Sequence, residues 1–242
     1  MSTLKGNLVT SQEIYTESLT QGIDLGALAT TGDGRSFRYF KNGALATVAG
    51  KVYQGPAEDA TNQSPAGGLA TAVAAKGTYA VTLTGTLTLA ANLLAGGFMS
   101  VAVTPGLGYT YKVKSNTVVA AAANCVVTLE DPLQIALTTA SRVVFHQNPY
   151  NGSVVCPTTM TAAPVGVATS VVTAAYYGWL QTHGPATCLV TGTLASAGLA
   201  VGVLVGGTEG SLAPTIAGTP ILGWTMGICA TGEYDSVFLT ID

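Results

Sequence analysis

At 242 residues the chain can bury one substantial core or two modest ones, yet only 9% of its residues are charged, against roughly 25% in ordinary soluble domains. With 30 glycines and a mean hydropathy of +0.44, that deficit implies that much of the folded surface lies against other chains. The net charge is -3, all nine Lys and Arg fall between Lys5 and Arg142, and no basic run or basic-aromatic alternation occurs, which excludes the usual signature of direct nucleic-acid binding.

In chain order, the first twenty residues are polar throughout and lack the apolar stretch of a secretory signal, so synthesis in a cytoplasm is expected. Ser11 to Leu19 is a short, polar helical candidate, and Ala66 to Ala75 a second one weakened by Gly67-Gly68. SFRYFKNGALATV, from Ser36 to Val48, reads as a hairpin turning at Asn42-Gly43; Asp33-Gly34 and Asn151-Gly152 are further turn dipeptides. Because residues 1–57 hold only that hairpin and few large apolar side chains, they are expected to form an extended arm. EDATNQSPAGG, Glu58 to Gly68, reads as a linker.

The strand signals then become dense. TYAVTLTGTLTLA, Thr78 to Ala90, puts Tyr79, Val81, Leu83, Leu87 and Leu89 on one face and threonines on the other, with Gly85 marking a bulge or close approach. Tyr109, Tyr111 and Val113 alternate with Thr110, Lys112 and Lys114; Leu133, Ile135 and Leu137 follow Pro132 as another strand; Val237, Leu239 and Ile241 close the chain. The prediction is an all-β protein: an arm over 1–57, a first lobe over 58–150 and a second over 151–242, each lobe a small β-sandwich or barrel. No repeat of solenoid or propeller length occurs. The uncharged window Gly184 to Thr208 is long enough to span a bilayer, but Pro185, its glycines and the lack of flanking basic residues argue against a transmembrane helix.

Candidate chemistry is sparse. The only histidines are His146 and His183, and no GxSxG, HExxH, GxxxxGK[ST] or GxGxxG pattern is present. Cys188 follows His183 across Gly184-Pro185, so the pair is either a Cys/His dyad on two strands joined by a turn, or a turn histidine and a packed thiol. Cys125, Cys156, Cys188 and Cys229 have no CxxC spacing and read as buried free thiols. Glu58-Asp59 and Glu130-Asp131 suit solvated turns, while Glu233, Asp235 and Asp242 are a weak cation-site candidate. No catalytic residue, metal ligand or cofactor is expected. Tyr176, Tyr177, Trp179 and Trp224 are large anchors in a chain of small residues, fit either for a core or for an interface.

APVGVATS, YYGWLQTHGPATCLVTGT and GTPILGWTMGICATGEYDSVFLTID together resemble the C-terminal pattern of tailed-bacteriophage head decoration (cement) proteins, and GRSFRYFKNGALATVAGKVYQGPA resembles the arm-proximal region of phage virion proteins. These stretches cover about half the chain; the middle lobe resembles nothing comparable. The resemblance implies a non-enzymatic virion protein on the capsid exterior, a homotrimer that binds the major capsid protein without touching nucleic acid or membrane. The residues expected at its contacts are Phe37, Arg38, Tyr39, Phe40, Tyr176, Tyr177, Trp179, Gln181 and His183. A tail-fibre or host-receptor-binding module is the alternative.

Overall fold

The computed structural model describes residues 7–203, 207–216 and 219–242. The protein is all-β, with seventeen strands and one 3-10 turn, Glu13–Tyr15, among those residues. No helix among them is long and apolar enough to cross a membrane. Two compact units form: one combines the chain up to Pro56 with everything from Pro149 onward, and the other is Ala57–Asn148.

The first unit begins with β1 (Asn7–Leu8), β2 (Leu28–Thr30), β3 (Ser36–Asn42) and β4 (Val52–Gln54). The second unit is β5 (Leu69–Thr71), β6 (Ala80–Leu89), β7 (Phe98–Val103), β8 (Thr110–Asn116), β9 (Val119–Leu129) and β10 (Arg142–His146). The chain then returns to the first unit with β11 (Asn151–Val155), β12 (Pro164–Ala168), β13 (Tyr177–Leu189), β14 (Ala200–Gly202), β15 (Ala213–Pro214), β16 (Gly223–Thr225) and β17 (Tyr234–Thr240).

The second unit is a closed barrel in the order β10-β5-β6-β9-β8-β7. Its core follows from alternation: Val81, Leu83, Leu87 and Leu89 of β6 point inward with Met99, Val113, Val127 and Phe145. Gly85 has φ +138°, and the pairing of β6 with β9 shifts between Leu83 and Leu87, so the expected bulge is present. Leu133 and Leu137 are buried in the same core, but the segment is no strand. Leu137 and Ala74 exchange both backbone hydrogen bonds in an isolated bridge, and Leu133 donates to the Thr78 carbonyl and accepts from the Gly77 N–H, so the loop is held against the β5–β6 connection and not along a strand. The stretch Ala66 to Ala75 supplies β5 instead of a helix. Residues 58–68 are no free linker: the Asp59 carboxylate accepts from the backbone of Thr61 and Asn62, and the Phe145 N–H donates to the Gln63 carbonyl.

In the first unit eleven strands run in the order β1-β2-β3-β11-β4-β12-β13-β17-β16-β14-β15, and an additional β3–β13 pairing closes β3, β11, β4, β12 and β13 into a ring. The expected N-terminal arm is therefore corrected. β3 lies between β11 and β13, and β4 between β11 and β12, because SFRYF carries enough aromatic surface to be worth burying on both faces. Phe37 packs with Ile14, Tyr39 and Trp179, and Phe40 with Tyr53, Val165 and Leu180.

The hairpin expected over Ser36 to Val48 is also corrected. β3 pairs with β2 through the turn at Asp33-Gly34, where Gly34 has φ +85°. At the far end the Asn42 Nδ2 donates to the carbonyls of Leu45 and Val172, which holds a loop rather than a two-residue turn. Gly152, at φ +82°, sits inside β11 at a register shift.

Candidate contact surface

Strand β13 organises the first unit. Its N-terminal half pairs with β3, from Tyr177 opposite Lys41 to His183 opposite Ser36, and its C-terminal half with β17, from His183 opposite Thr240 to Leu189 opposite Tyr234. The changeover needs a bend. It is made by a register shift between Gln181 and His183 and by Gly184 at φ +85°, followed by Pro185, which has no N–H to lose. Gln181 is fully buried, and its Nε2 donates to the carbonyls of His183 (3.0 Å) and Pro185 (2.8 Å).

The residues expected at contacts separate into two groups. Phe37, Tyr39, Phe40, Trp179 and Gln181 are core. Tyr39 meets the edge of Trp179 at 5.1 Å and stacks on Tyr177 at 6.0 Å, while the Gly22 N–H donates to its hydroxyl at 3.1 Å. Arg38, Tyr176, Tyr177 and His183 stay partly exposed. Arg38 donates from Nε to Asp242 (2.8 Å) and from NH1 to the Gly26 carbonyl (2.8 Å), tying the last residue to β3. Burial alone would raise the Asp242 pKa, but hydrogen bonds and charge from Arg38 outweigh it and hold the carboxyl low.

The Cys/His dyad does not form. β13 bends at Gly184-Pro185 but is not interrupted, so His183 and Cys188 are on one strand, where five residues span up to about 17 Å and an odd spacing puts the two side chains on opposite faces. His183 is no turn residue; its ring meets Phe238 edge-on at 5.2 Å. Cys188 is sealed in the core, and burial pushes its thiol up to about 12. All four cysteines are free and buried. Among the described residues no group of three His, Cys, Asp or Glu side chains could hold a metal ion, and Asp242 is engaged by Arg38.

What the fold brings together instead is an outward row across four strands. Pro185 of β13 is opposite Phe238 of β17, Phe238 opposite Trp224 of β16, and Trp224 opposite Ala200 of β14. Val237 and Leu239, the alternate positions of β17, are fully buried beneath it. Trp224 is 44% exposed and Phe238 37%, with Met226 and Ile228 exposed nearby, so a sheet face that could have been polar carries aromatic and aliphatic surface. Trp224 was legible as an anchor. Phe238 was missed, although its position between Val237 and Leu239 marks it as outward. No protein-family model, curated protein or solved structure matches the chain.

Proposed function

We propose that the protein is a non-enzymatic virion structural protein that binds the outer surface of a tailed-phage head, as a homotrimer contacting the major capsid protein, and stabilises capsomer contacts. The observation that carries this reading is the outward Pro185-Phe238-Trp224-Ala200 row on a chain with only 9% charged residues. Trp is the residue most enriched at binding hot spots, and an aromatic row over a rigid sheet loses little side-chain entropy on docking. A trimer repeats the row three times, so contacts that are individually weak add through effective concentration on the capsid lattice.

The test is cryo-electron microscopy of undecorated, expanded heads incubated with the purified chain. Ordered density on the lattice, lost in a Trp224→Ala/Phe238→Ala variant that remains folded, is the expected result. Bare heads with the native chain would defeat the reading, and attachment to tails or cells would favour a receptor-binding module.

A further inference from the structure

Three dipeptides in the chain have the composition that closes a five-membered imide ring, an Asn or Asp followed by a glycine whose nitrogen no side chain shields: Asp33-Gly34, Asn42-Gly43 and Asn151-Gly152. The fold treats them differently. The Asp33 carboxylate is spent on the Thr31 hydroxyl, the Arg35 N–H and the Arg35 guanidinium. Asn42 is 2% exposed, and its Nδ2 donates to the carbonyls of Leu45 (2.8 Å), Val172 (2.7 Å) and Thr173 (3.2 Å). The Gly43 nitrogen that would attack is itself bound, donating to Asn42 Oδ1 and to the Ser153 carbonyl, both at 2.9 Å. Turning this dipeptide toward ring closure would break those bonds in a buried setting.

Asn151-Gly152 is built the other way. Both residues are partly exposed, and among the described residues the Asn151 carboxamide takes part in no hydrogen bond. Gly152 has φ +82°, and a Cβ built on it would meet nothing within 4 Å, whereas one on Gly43 would come within 2.9 Å of the Ser153 carbonyl oxygen. The pairing of β11 with β3 slips between Asn151 and Ser153, so the ladder is already irregular at the bond that must turn. Open space, an unheld amide and an irregular ladder coincide at this one dipeptide, which are the conditions in which local backbone rotation costs least.

We propose that Asn151-Gly152 is a site of spontaneous covalent self-modification. The Gly152 nitrogen attacks Asn151 Cγ: the N–Cγ bond forms, the Cγ–Nδ2 bond breaks, and the Gly152 amide proton leaves with Nδ2 as ammonia. Water then opens the resulting succinimide at one of its two carbonyls, giving aspartate or isoaspartate, with no oxidant, metal or enzyme required. Either product places a carboxylate opposite Lys41, the position paired with Asn151 across β11 and β3, and isoaspartate adds a methylene to the main chain of a strand in the five-strand ring. The reaction is independent of head binding.

The test is peptide mapping by mass spectrometry of the full chain after incubation in mildly alkaline buffer, once in the native state and once in guanidinium chloride. In the native chain the amide-to-acid mass increase should accumulate at Asn151 about ten-fold or more faster than at Asn42, the factor set by one or two hydrogen bonds that hold the resting Asn42 amide. In denaturant the two should react at similar rates, because they share the Asn-Gly sequence. The aged native chain should also yield an anion-exchange fraction that elutes with an Asn151→Asp variant, and Asn151→Gln, whose longer side chain does not close the five-membered ring, should lose that fraction. Equal rates at Asn42 and Asn151 in the native chain overturn the inference, as does a native Asn151 that keeps its amide over a period in which the denatured chain converts.

Discussion

Phe37 and Trp224 are both large aromatics on strands, and they separate core from surface in this chain. Phe37 is fully buried against Ile14, Tyr39 and Trp179, so Phe37→Ala is expected to cost about 3–5 kcal/mol in denaturant unfolding. Trp224→Ala should change stability by only about 0.5 kcal/mol, since it is a surface position. Cys156 and Cys188 make a second residue-scale prediction. Burial raises both thiols from 9.0 to about 12, so between those values the unfolded chain loses protons that the folded chain keeps. Stability should therefore be intact below about pH 9 and fall by about 1.4 kcal/mol per pH unit per thiol above it. A Cys156→Ala/Cys188→Ala variant measured over pH 7 to 11 should show a shallower decline. Residue type alone did not tell an aromatic that fills a core from one that waits for a partner, which is why five of the expected contact residues proved to be buried.

The elements show the same division. Alternation was legible wherever a strand is buried on one face, as in β6 with its inward Val81 and Leu83 and outward Thr82, Thr84 and Thr88, and even its Gly85 bulge could be anticipated. Leu133, Ile135 and Leu137 have the same spacing but belong to a loop, because spacing alone supplies no strand edge to pair with. Asn42-Gly43 looked like a hairpin turn, yet β3 pairs back on β2 and across to β11 and β13. Gly184 makes a prediction at this scale. An added Cβ would meet the Arg35 Cγ at 3.1 Å in a left-handed conformation, so Gly184→Ala should cost about 1–3 kcal/mol. Thermal or denaturant unfolding checks it, and an unchanged midpoint would mean that the bend in β13 does not depend on this glycine.

For the whole molecule, the two units differ in how their chain is assembled. Ala57–Asn148 is continuous in sequence and closes its own barrel, so a fragment of those residues is expected to fold alone and melt cooperatively by circular dichroism. The first unit is discontinuous. Removing residues 1–56 takes away β3 and β4, two of the five strands of its ring, and should abolish its cooperative transition rather than merely detach an arm. By itself the sequence determined the all-β class, the free thiols, the alternating faces of the longer strands and the shortage of charge, because each is set by composition or by neighbours a few residues apart. Only the tertiary structure decided that SFRYF is a central strand, that Phe238 and Trp224 stand side by side on an open face, and that the Asn42 amide is held by the carbonyls of Val172 and Thr173. Those are pairings between residues far apart in the chain, selected by how much apolar surface each alternative buries, and no local pattern encodes that competition.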